Sequence, residues 1–444
     1  MAKKTTRLEE LHNTFQENGV SPETVMENDV LIREIKKHAD AVPDYRHPSY
    51  VHHLLGDIIM IVFFAVLGNA NEWGEIESFG KSKEKWLRKY LELPFGVPTD
   101  DTYRIVFSNI STDHFFQVTV GILLRAVDGI ISLAGEAGRL HEKSVVSVDG
   151  KVSCGSGRKD TGAGKVKALQ TLNVYSDDYG MCVAQKYISE KTNEIPAAQE
   201  LLRLMDLKGT IVTADAMNCQ KGTAEVVIDG KGDYVFALKG NQALFYEEVK
   251  SFFSREYRKE LKGKEGCYKK TVEAEHGGVA IREYYITEDT GWYSEKKKWK
   301  GLKSFGMVHK RLKKPDGSQE EEYHCYICSI GEDADEFERA SRRHWGVENK
   351  LHWQMDFTFR DDKNTSMAKT GAKNLQTMKK IALSILALVK NSYKLSTKRI
   401  RYELSLDYEN GVEKMLSMLD VDSIRKALES KGKSPVKQSM SLYF

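Results

Sequence analysis

SVVSVDG, residues 144–150, decides the fold, because it is a β-branched run that ends abruptly in an aspartate and a glycine. Such a run predicts a buried strand that leads directly into a turn, with Asp149 at the strand end. TIVTADA, residues 210–216, has the same form and ends a second strand at Asp215. Because strand ends of this kind bring carboxylates to one edge of a sheet, we expect the two acids to lie close together.

The segments around these two strands predict a mixed α/β sheet. KALQTLNVYS (167–176) and MCVAQKYIS (181–189) are strand-like and flank DDYG, a hairpin signal. NEIPAAQELLRLMD (193–206) and CQKGTAEVVIDG (219–230) are typical of helices, and DYVFALKG (233–240) is typical of a final strand. The hairpin makes the first three strands antiparallel, while helical crossovers make the later strands parallel. This order is similar to that of the ribonuclease H-like fold.

The remainder of the chain divides around this sheet. Its first third has the apolar spacing of helices, for example in LLGDIIMIVFFAVLG, whereas strand-like runs dominate after a single helix that follows Gln242. Helix returns in DADEFERASRRHWGVENKLHWQM. The sequence therefore predicts five segments: a helical N-terminal domain (1–140), the first part of an α/β core (141–240), a β-rich insertion (241–335), the second part of the core with two helices (336–392) and a C-terminal tail (393–444).

The overall composition limits the classes of partner. The net charge is only +3 over 444 residues, so a nucleic-acid surface would have to be a local patch. Six cysteines in a chain of this length do not make a disulfide framework, and we expect reduced thiols in a cytoplasmic protein. The most apolar run, residues 58–67, is shorter than the roughly 20 residues needed to span a bilayer. We therefore expect no membrane association.

A third acid on a helix near the same sheet edge would complete a site for hard cations. Carboxylate oxygens suit Mg²⁺ or Mn²⁺, and two such ions about 4 Å apart can activate an attacking oxygen and stabilise a leaving one. A single aspartate at a strand end is more often a turn or cap residue. The paired positions of Asp149 and Asp215 favour metal binding, whereas Glu348 on its own could be an ordinary surface residue of a helix.

Four ordered blocks resemble the signature blocks of DDE-type insertion-sequence transposases: VDGK (148–151), TADAMNCQ (213–220), ALKGNQ (237–242) and HWGVENKLHWQMDFTFRDD (344–362). They are most similar to the subgroup that includes the H-repeat-associated proteins. Two further stretches of this chain resemble the N-terminal domain of that subgroup. They are FFAVLGNANEWGEIESFG (63–80) and LPFGVPTDDTYRIVF (93–107). The resemblance extends from about residue 40 to residue 365, and blocks this long are far more specific than a bare acidic triad.

The resemblance implies a function and a set of site residues. It implies that Asp149, Asp215 and Glu348 hold two Mg²⁺ ions, for which Mn²⁺ can substitute. It also implies a ribonuclease H-like core with a β-rich insertion before the glutamate helix. The expected activity is metal-dependent cleavage of DNA strands and strand transfer of an insertion sequence.

Candidate DNA contacts surround these acids. Related families with such insertions carry a tyrosine, an arginine and a lysine at set distances around the glutamate. At those positions this chain has Ser341, His344 and Met355. A cation beside the scissile phosphate neutralises charge, so nearby cations become the candidates. They are Arg342, Arg343 and Lys350.

Further candidate DNA contacts lie just beyond two of the strand ends. They are Lys151, Lys239, Asn241 and Gln242. For the last three, the alternative is an ordinary helix start that Asn241 caps. The basic stretch 294–303, which contains Trp299, is either another DNA contact or a solvated loop.

Two alternative functions stay open. His344, Glu348, His352 and Asp356 follow one another at intervals of four and would form a stripe on a helix, which could hold zinc in a zinc-dependent hydrolase. The chain contains no H-E-x-x-H, and packing of this helix face against the sheet and DNA is the competing explanation. A catalytically inactive DNA-binding remnant of a transposable element is the other alternative.

The expected partner is DNA, in the form of terminal inverted repeats and of target DNA. The helical N-terminal domain is our candidate for recognising the repeats, because the core must tolerate any target sequence. Joining two element ends predicts a homodimer on DNA. When bound to DNA, the protein would be associated with the bacterial nucleoid.

Overall fold

The computed structural model describes residues 30–48, 51–120, 143–157, 168–177, 180–188, 193–275, 277–363 and 369–417. Its centre is a single sheet of nine strands. Successive residues of a strand face opposite sides of a sheet, and Val145 and Val146 accordingly belong to two different clusters of buried apolar side chains. The sheet is therefore covered on both faces.

The strand order matches the prediction in the first half of the sheet. The strands are β1 (Ser144–Ser153), β2 (Leu169–Ser176), β3 (Met181–Ile188), β4 (Thr210–Ala214), β5 (Asp233–Leu238), β6 (Tyr268–Glu275), β7 (Gly278–Thr287), β8 (Ser304–Lys313) and β9 (Gln319–Cys328). They lie in the order β3-β2-β1-β4-β5-β9-β8-β7-β6. The pairs β1–β2 and β2–β3 are antiparallel, whereas β4 lies parallel to both β1 and β5. The predicted mixed α/β sheet is confirmed.

Helices precede, link and follow these strands. In chain order they are α1 (Val30–Asp40), α2 (Leu55–Leu67), α3 (Trp73–Leu87), α4 (Asp100–Asn109), α5 (Glu194–Arg203), α6 (Lys221–Asp229), α7 (Ala243–Phe252), α8 (Arg255–Leu261), α9 (Ala334–Gly346), α10 (Trp353–Phe357), α11 (Lys369–Tyr393), α12 (Thr397–Leu406) and α13 (Tyr408–Ser417). The predicted crossover helices are α5 and α6. The helical region before β1 is confirmed within the described residues.

The region 241–335 extends the core sheet. We predicted one helix and several strands there, and the structure has two helices, α7 and α8, before strands β6 to β9. Strand β9 pairs antiparallel with β5, so that Val235 lies opposite Cys328. The insertion therefore continues the sheet without a break. Local sequence pattern predicted its strands but could not show the edge to which they are bonded.

Helices from both ends of the chain share one apolar core. Every residue of α2 is buried, and its side chains belong to the same buried cluster as those of α11, α12 and α13. Residues 397–417, which we assigned to a C-terminal tail, thus form two packed helices. Residues 418–444 of that tail, and residues 1–29, 49–50 and 121–140 of the predicted N-terminal domain, lie outside the described residues.

The predicted glutamate helix contains a change in helical pitch. Helix α9 ends at Gly346, a π-helix spans Val347–His352, and α10 follows directly. Val347 and Leu351 are buried, which fixes one side of the π-helix against the core. Because a π-helix widens the turn, it redirects the residues on its opposite side, a device common at functional sites.

The described residues agree with the absence of a disulfide framework that the sequence predicts. Within them, no helix is both long and apolar enough to cross a membrane. All six cysteines are free thiols, and Cys154 is exposed while the others are buried.

Candidate active site

Asp149 and Asp215 lie side by side where β1 and β4 stop pairing. Asp215 directly follows β4, as predicted, but the predicted turn after Asp149 is wrong, because β1 continues to Ser153 through its pairing with β2. Val148 on β1 is paired with Ala214 on the parallel strand β4, so the next residue on each strand is one of the two acids. Asp149 Oδ1 accepts a hydrogen bond of 2.9 Å from the Gly150 backbone N–H. These local bonds hold the carboxylates at the point where the strands diverge.

The loop after β4 orients Asp215. Its Oδ1 accepts hydrogen bonds from Asn218, at 3.1 Å from the backbone N–H and at 3.2 Å from the side-chain amide. A carboxylate held by two donors from one residue has a fixed direction. The loop that contains Asn218 therefore contributes to the site by fixing the orientation of the Asp215 carboxylate.

The charges of both other predicted acids affect the pKa of Asp149. Burial, together with the negative charges of Asp215 and Glu348, raises the pKa of Asp149 to about 7. Like charges disfavour ionisation only when they are near, so the three carboxyl groups share one electrostatic environment. The structure thus brings together three acids that are far apart along the chain.

Glu348 reaches this edge from the π-helix. It is the second residue of that segment and is exposed, between the buried residues Val347 and Leu351. The exposed position leaves its carboxylate open to solvent and to a ligand.

A fourth acid, Glu194, was missed by the sequence analysis. It is the first residue of α5 and is buried. Its carboxylate accepts hydrogen bonds from the side chains of Asn218, at 3.1 Å, and Gln170, at 3.2 Å. Burial, opposed by the Asn218 hydrogen bond, raises its pKa. The only sequence signal was an acid at the start of a helix, which is an ordinary feature of helices.

Gly150 makes room for that fourth acid. A Cβ at this position would lie 2.7 Å from Glu194 Oε2, closer than real Cβ contacts. The glycine that follows Asp149 is therefore required by the close approach of a carboxylate to the backbone.

The predicted histidine stripe does not form a common site. His344 Nδ1 lies 3.2 Å from the Thr213 hydroxyl, whereas His352 Nε2 lies 3.3 Å from the Asn173 amide. Burial lowers the pKa of His344 to about 4 and that of His352 to about 3, so both rings are neutral at physiological pH. Asp356 is bound to Lys151. The stripe faces three different partners, which gives the zinc interpretation no support.

The donor set fits a hard cation. The three predicted acids offer carboxylate oxygens, the ligands that Mg²⁺ and Mn²⁺ prefer. Among the described residues, no group of three or more His, Cys, Asp or Glu side chains is already arranged to hold a metal ion. A cation would therefore have to draw these carboxylates closer together, which their mutual repulsion opposes in its absence.

The predicted phosphate-binding cations on the glutamate helix are paired with acids. Arg342 donates to Glu273 at 2.7 Å, and Lys350 donates to Asp177 at 2.7 Å. Arg343 Nε lies 3.8 Å from the other Asp177 oxygen. Lys350 is half-exposed, so of the three its ammonium is the most accessible to DNA.

The other predicted DNA contacts differ in how exposed their side chains are and in which groups bind them. Lys239 is exposed. The side chain of Asn241 donates to the Ala216 carbonyl, and that of Gln242 lies 3.5 Å from the Cys219 carbonyl, so both tie this loop to the Asp215 loop. Asn241 is therefore no helix cap here. Lys151 is buried against Asp356, and contact with DNA would require that pair to open.

The structure explains two departures from the expected pattern around the glutamate. Ser341 is buried and donates to the Phe337 carbonyl within its own helix. Met355 is fully buried in the apolar core. These positions face inward, so they cannot replace the tyrosine and lysine seen in related families.

The basic stretch 294–303 is partly a core element. Trp299 is buried in the cluster on one face of the sheet. Lys298 is paired with Glu295, and Lys300 with Asp229. DNA contact by this stretch stays a prediction.

Comparison with known families gives an independent match. Residues 140–385 match the family described as the transposase DDE domain. Residues 36–121 match a second family, described as associated with that domain. Together the matches cover the helical region and the α/β sheet.

Individual relatives are similar over most of the chain. "Putative transposase YncI" of Escherichia coli O157:H7 is 33% identical over 379 residues, which are 85% of this chain and 93% of that protein. "H repeat-associated putative transposase YhhI" of Escherichia coli K12 is 31% identical over 363 residues, which are 80% of this chain and 90% of that protein. "Inactive transposase YbfQ" of the same strain is 34% identical over 77 residues, which are 17% of this chain and 92% of that protein.

Similarity to solved structures is weaker. The chain matches the cryo-EM structure of a piggyBac transposase synaptic complex with hairpin DNA at a TM-score of 0.34 and 10% identity, over 94% of this chain and 82% of that chain. A score at this level carries no argument about the fold.

Proposed function

This chain belongs to the transposase DDE domain family, and on that premise we propose that it cuts and joins DNA with two divalent cations held by Asp149, Asp215 and Glu348. The observation that carries the proposal is the register of β1 and β4, in which Val148 lies opposite Ala214 and Asp149 therefore lies next to Asp215. Burial and the charges of Asp215 and Glu348 accordingly raise the pKa of Asp149. A site that concentrates negative charge is one that a divalent cation stabilises.

The core is best described as ribonuclease H-like. Support comes from the order β3-β2-β1-β4-β5, in which an antiparallel meander is followed by two parallel strands. Asp149 lies within the first strand, Asp215 directly follows the fourth, and the glutamate comes from the π-helix after the insertion.

The proposed reaction has two chemical steps. Hydrolysis of one strand at each element end frees a 3′-OH. That hydroxyl then attacks a phosphodiester of the target DNA, where a new P–O bond forms as the target's P–O3′ bond breaks and a target 3′-OH leaves. When bound, two Mg²⁺ or Mn²⁺ ions supply charge stabilisation for the attacking and leaving oxygens. The protein's part is to hold those ions through its three carboxylates and to place the phosphate. Lys350, Arg342 and Arg343 are the cations next to that position.

Recognition of the element ends is assigned to the helical region before β1. The second family match covers these helices, which share an apolar core with the helices at 369–417. A homodimer on DNA follows from the need to hold two ends together. Both statements are proposals that the chemistry of the reaction motivates, as is nucleoid association when the protein is bound to DNA.

A DNA-binding remnant without activity is the second candidate. It is favoured by one observation, the absence of any ready-made metal-binding group of three or more His, Cys, Asp or Glu among the described residues. The same finding is expected if binding of the cations completes the site. Only a cleavage assay separates the two.

The test is nicking of supercoiled plasmid that carries the terminal repeats, in Mn²⁺, Mg²⁺ or Zn²⁺. We expect nicking in Mn²⁺ and Mg²⁺ by the wild type and none by Asp149→Asn, Asp215→Asn or Glu348→Gln. Glu338→Gln is the matched control, because Glu338 lies on α9 but is bound to Lys269 on β6. Cleavage by Asp149→Asn at the wild-type rate refutes the site, and no cleavage by folded wild type favours the remnant.

A further inference from the structure

We propose that His352 is a positioning residue for Asp149, held in one orientation by Asn173 and Lys380, and that it thereby sets the affinity of the site for divalent cations. This inference rests on the proposed function, because it takes Asp149 to be a metal ligand. It concerns a part of the site that the acidic triad does not include.

The sheet register brings the partners together. Asn173 on β2 lies directly opposite Asp149 on β1, and residues opposite each other in an antiparallel pair have side chains on the same face. Asn173 is fully buried. The helix α11 covers it, and Lys380 on that helix is buried as well.

Hydrogen bonding fixes which way the Asn173 amide points. Lys380 Nζ donates to Asn173 Oδ1 at 2.6 Å and to Gln185 Oε1 at 2.8 Å. An ammonium group has donors only, so the atom of Asn173 that it contacts is the carbonyl oxygen. The amide nitrogen of Asn173 therefore lies on the other side, where it is 3.3 Å from His352 Nε2.

The amide orientation in turn fixes the histidine. The amide nitrogen of Asn173 can only donate, so His352 Nε2 accepts and the ring hydrogen is on Nδ1. His352 Nδ1 lies 3.4 Å from Asp149 Oδ2. The ring nitrogen that has the hydrogen thus lies within 3.4 Å of one carboxylate oxygen, while the backbone N–H of Gly150 binds the other at 2.9 Å.

This chain of contacts gives Asp149 a preferred direction. Groups that bind metal-ligating side chains are commonly worth about 10- to 100-fold in metal affinity, because they spare the metal the cost of orienting its ligand. Burial of a lysine usually lowers the stability of a protein. Lys380 has a role here because it fixes the Asn173 amide, which in turn fixes the His352 ring.

The experiment measures Mn²⁺ binding to the full-length protein without DNA, from the electron paramagnetic resonance signal of free Mn²⁺. We expect His352→Leu to weaken binding by at least about 10-fold. His352→Asn should stay within a few-fold of the wild type, because its amide can place a donor next to Asp149. Equal weakening by both variants, or wild-type affinity in His352→Leu, overturns the inference.

A second pair of variants tests the buried end of the chain. Lys380→Met should weaken Mn²⁺ binding, because the Asn173 amide is then free to turn. Lys379→Met is the matched control, since Lys379 is equally buried on α11 and its Nζ has no hydrogen-bond partner among the described residues. Equal affinities for these two variants contradict the inference.

Different Mn²⁺-binding results would contradict the proposed function and the positioning role of His352. If the wild type binds no Mn²⁺, or if Asp149→Asn binds it as the wild type does, the metal site itself is wrong. If Asp149→Asn loses binding while His352→Leu keeps it, only the positioning role is wrong.

Discussion

Gly346 lies so close to Asp177 that a Cβ on the glycine would come within 2.3 Å of Asp177 Oδ1. Asp177 is buried at the end of β2 and also binds Lys350. Gly346 is the last residue of α9, two positions before Glu348. A side chain at this position would therefore push the start of the π-helix, which carries Glu348, away from Asp177.

Gly346→Ala is expected to destabilise the protein by about 1–3 kcal/mol, the usual cost of overpacking, and to reduce plasmid nicking. Gly74→Ala on α3 is the control, because a Cβ there meets nothing within 4 Å. Denaturant unfolding and nicking are measured for both. If Gly346→Ala matches Gly74→Ala in both measurements, the close contact has no consequence.

Asp149→Asn is expected to stabilise the metal-free protein at neutral pH. The pKa of Asp149 is raised from its ordinary 3.8 to about 7 in the folded state by burial and by Asp215 and Glu348. Between these values the unfolded chain has released a proton that the folded chain keeps, so the stability of the wild type falls as pH rises from about 4 to 7. The asparagine removes this loss.

The measurement for Asp149→Asn is thermal unfolding with EDTA at several pH values. The difference in Tm between the variant and the wild type should be small near pH 4 and should grow up to about pH 7. Added Mg²⁺ should raise the Tm of the wild type and leave that of the variant unchanged. A difference in Tm that is constant with pH would show that Asp149 does not titrate in this window.

Glu194→Ala is expected to lower both stability and cleavage. It removes one of the two acceptors that hold the Asn218 amide, and a lost buried partner costs about 1–3 kcal/mol. Glu194→Gln keeps an acceptor oxygen and should lose less of both. The comparison uses chemical denaturation and nicking, and a larger loss in the glutamine variant would show that the charge of Glu194 matters more than its hydrogen bonds.

Lys350→Ala is expected to weaken DNA binding and to reduce its salt dependence. One lost phosphate contact lowers the slope of log affinity against log salt by about 0.9. Lys264→Ala on the insertion is the control, because Lys264 is a half-exposed lysine paired with Glu260 within the same segment. Titration of repeat DNA at several salt concentrations gives the slopes, and equal slopes for both variants would exclude a phosphate contact by Lys350.

The features that the sequence predicted correctly are those with a local cause. β-branched runs that end in an acid predicted β1 and β4, the DDYG turn predicted the antiparallel pair β2–β3, and Pro196 lies near the start of the predicted helix α5. The prediction that Asp149 and Asp215 meet is confirmed by the parallel pairing of β1 and β4, although β1 continues past Asp149 to Ser153.

The features that the sequence did not predict depend on contacts between distant segments. Nothing near β9 shows that it will bond to β5, so the insertion looked separate. Lys380 and Asn173 are 207 positions apart, and neither has a pattern that predicts the other. Lys151 is paired with Asp356, which is 205 positions away, and no local pattern predicts this pair.

The core shared by the two ends of the chain also determines when the protein can finish folding. Arg401 donates to the Val66 carbonyl at 2.7 Å, and the Tyr408 hydroxyl donates to the Phe64 carbonyl at 2.7 Å. Both acceptors are on α2, which the ribosome releases more than 300 residues before its partners. Part of the apolar surface of α2 therefore stays uncovered until residues 397–417 have been synthesised, and a chain that stops before them would be a target for chaperones and proteases.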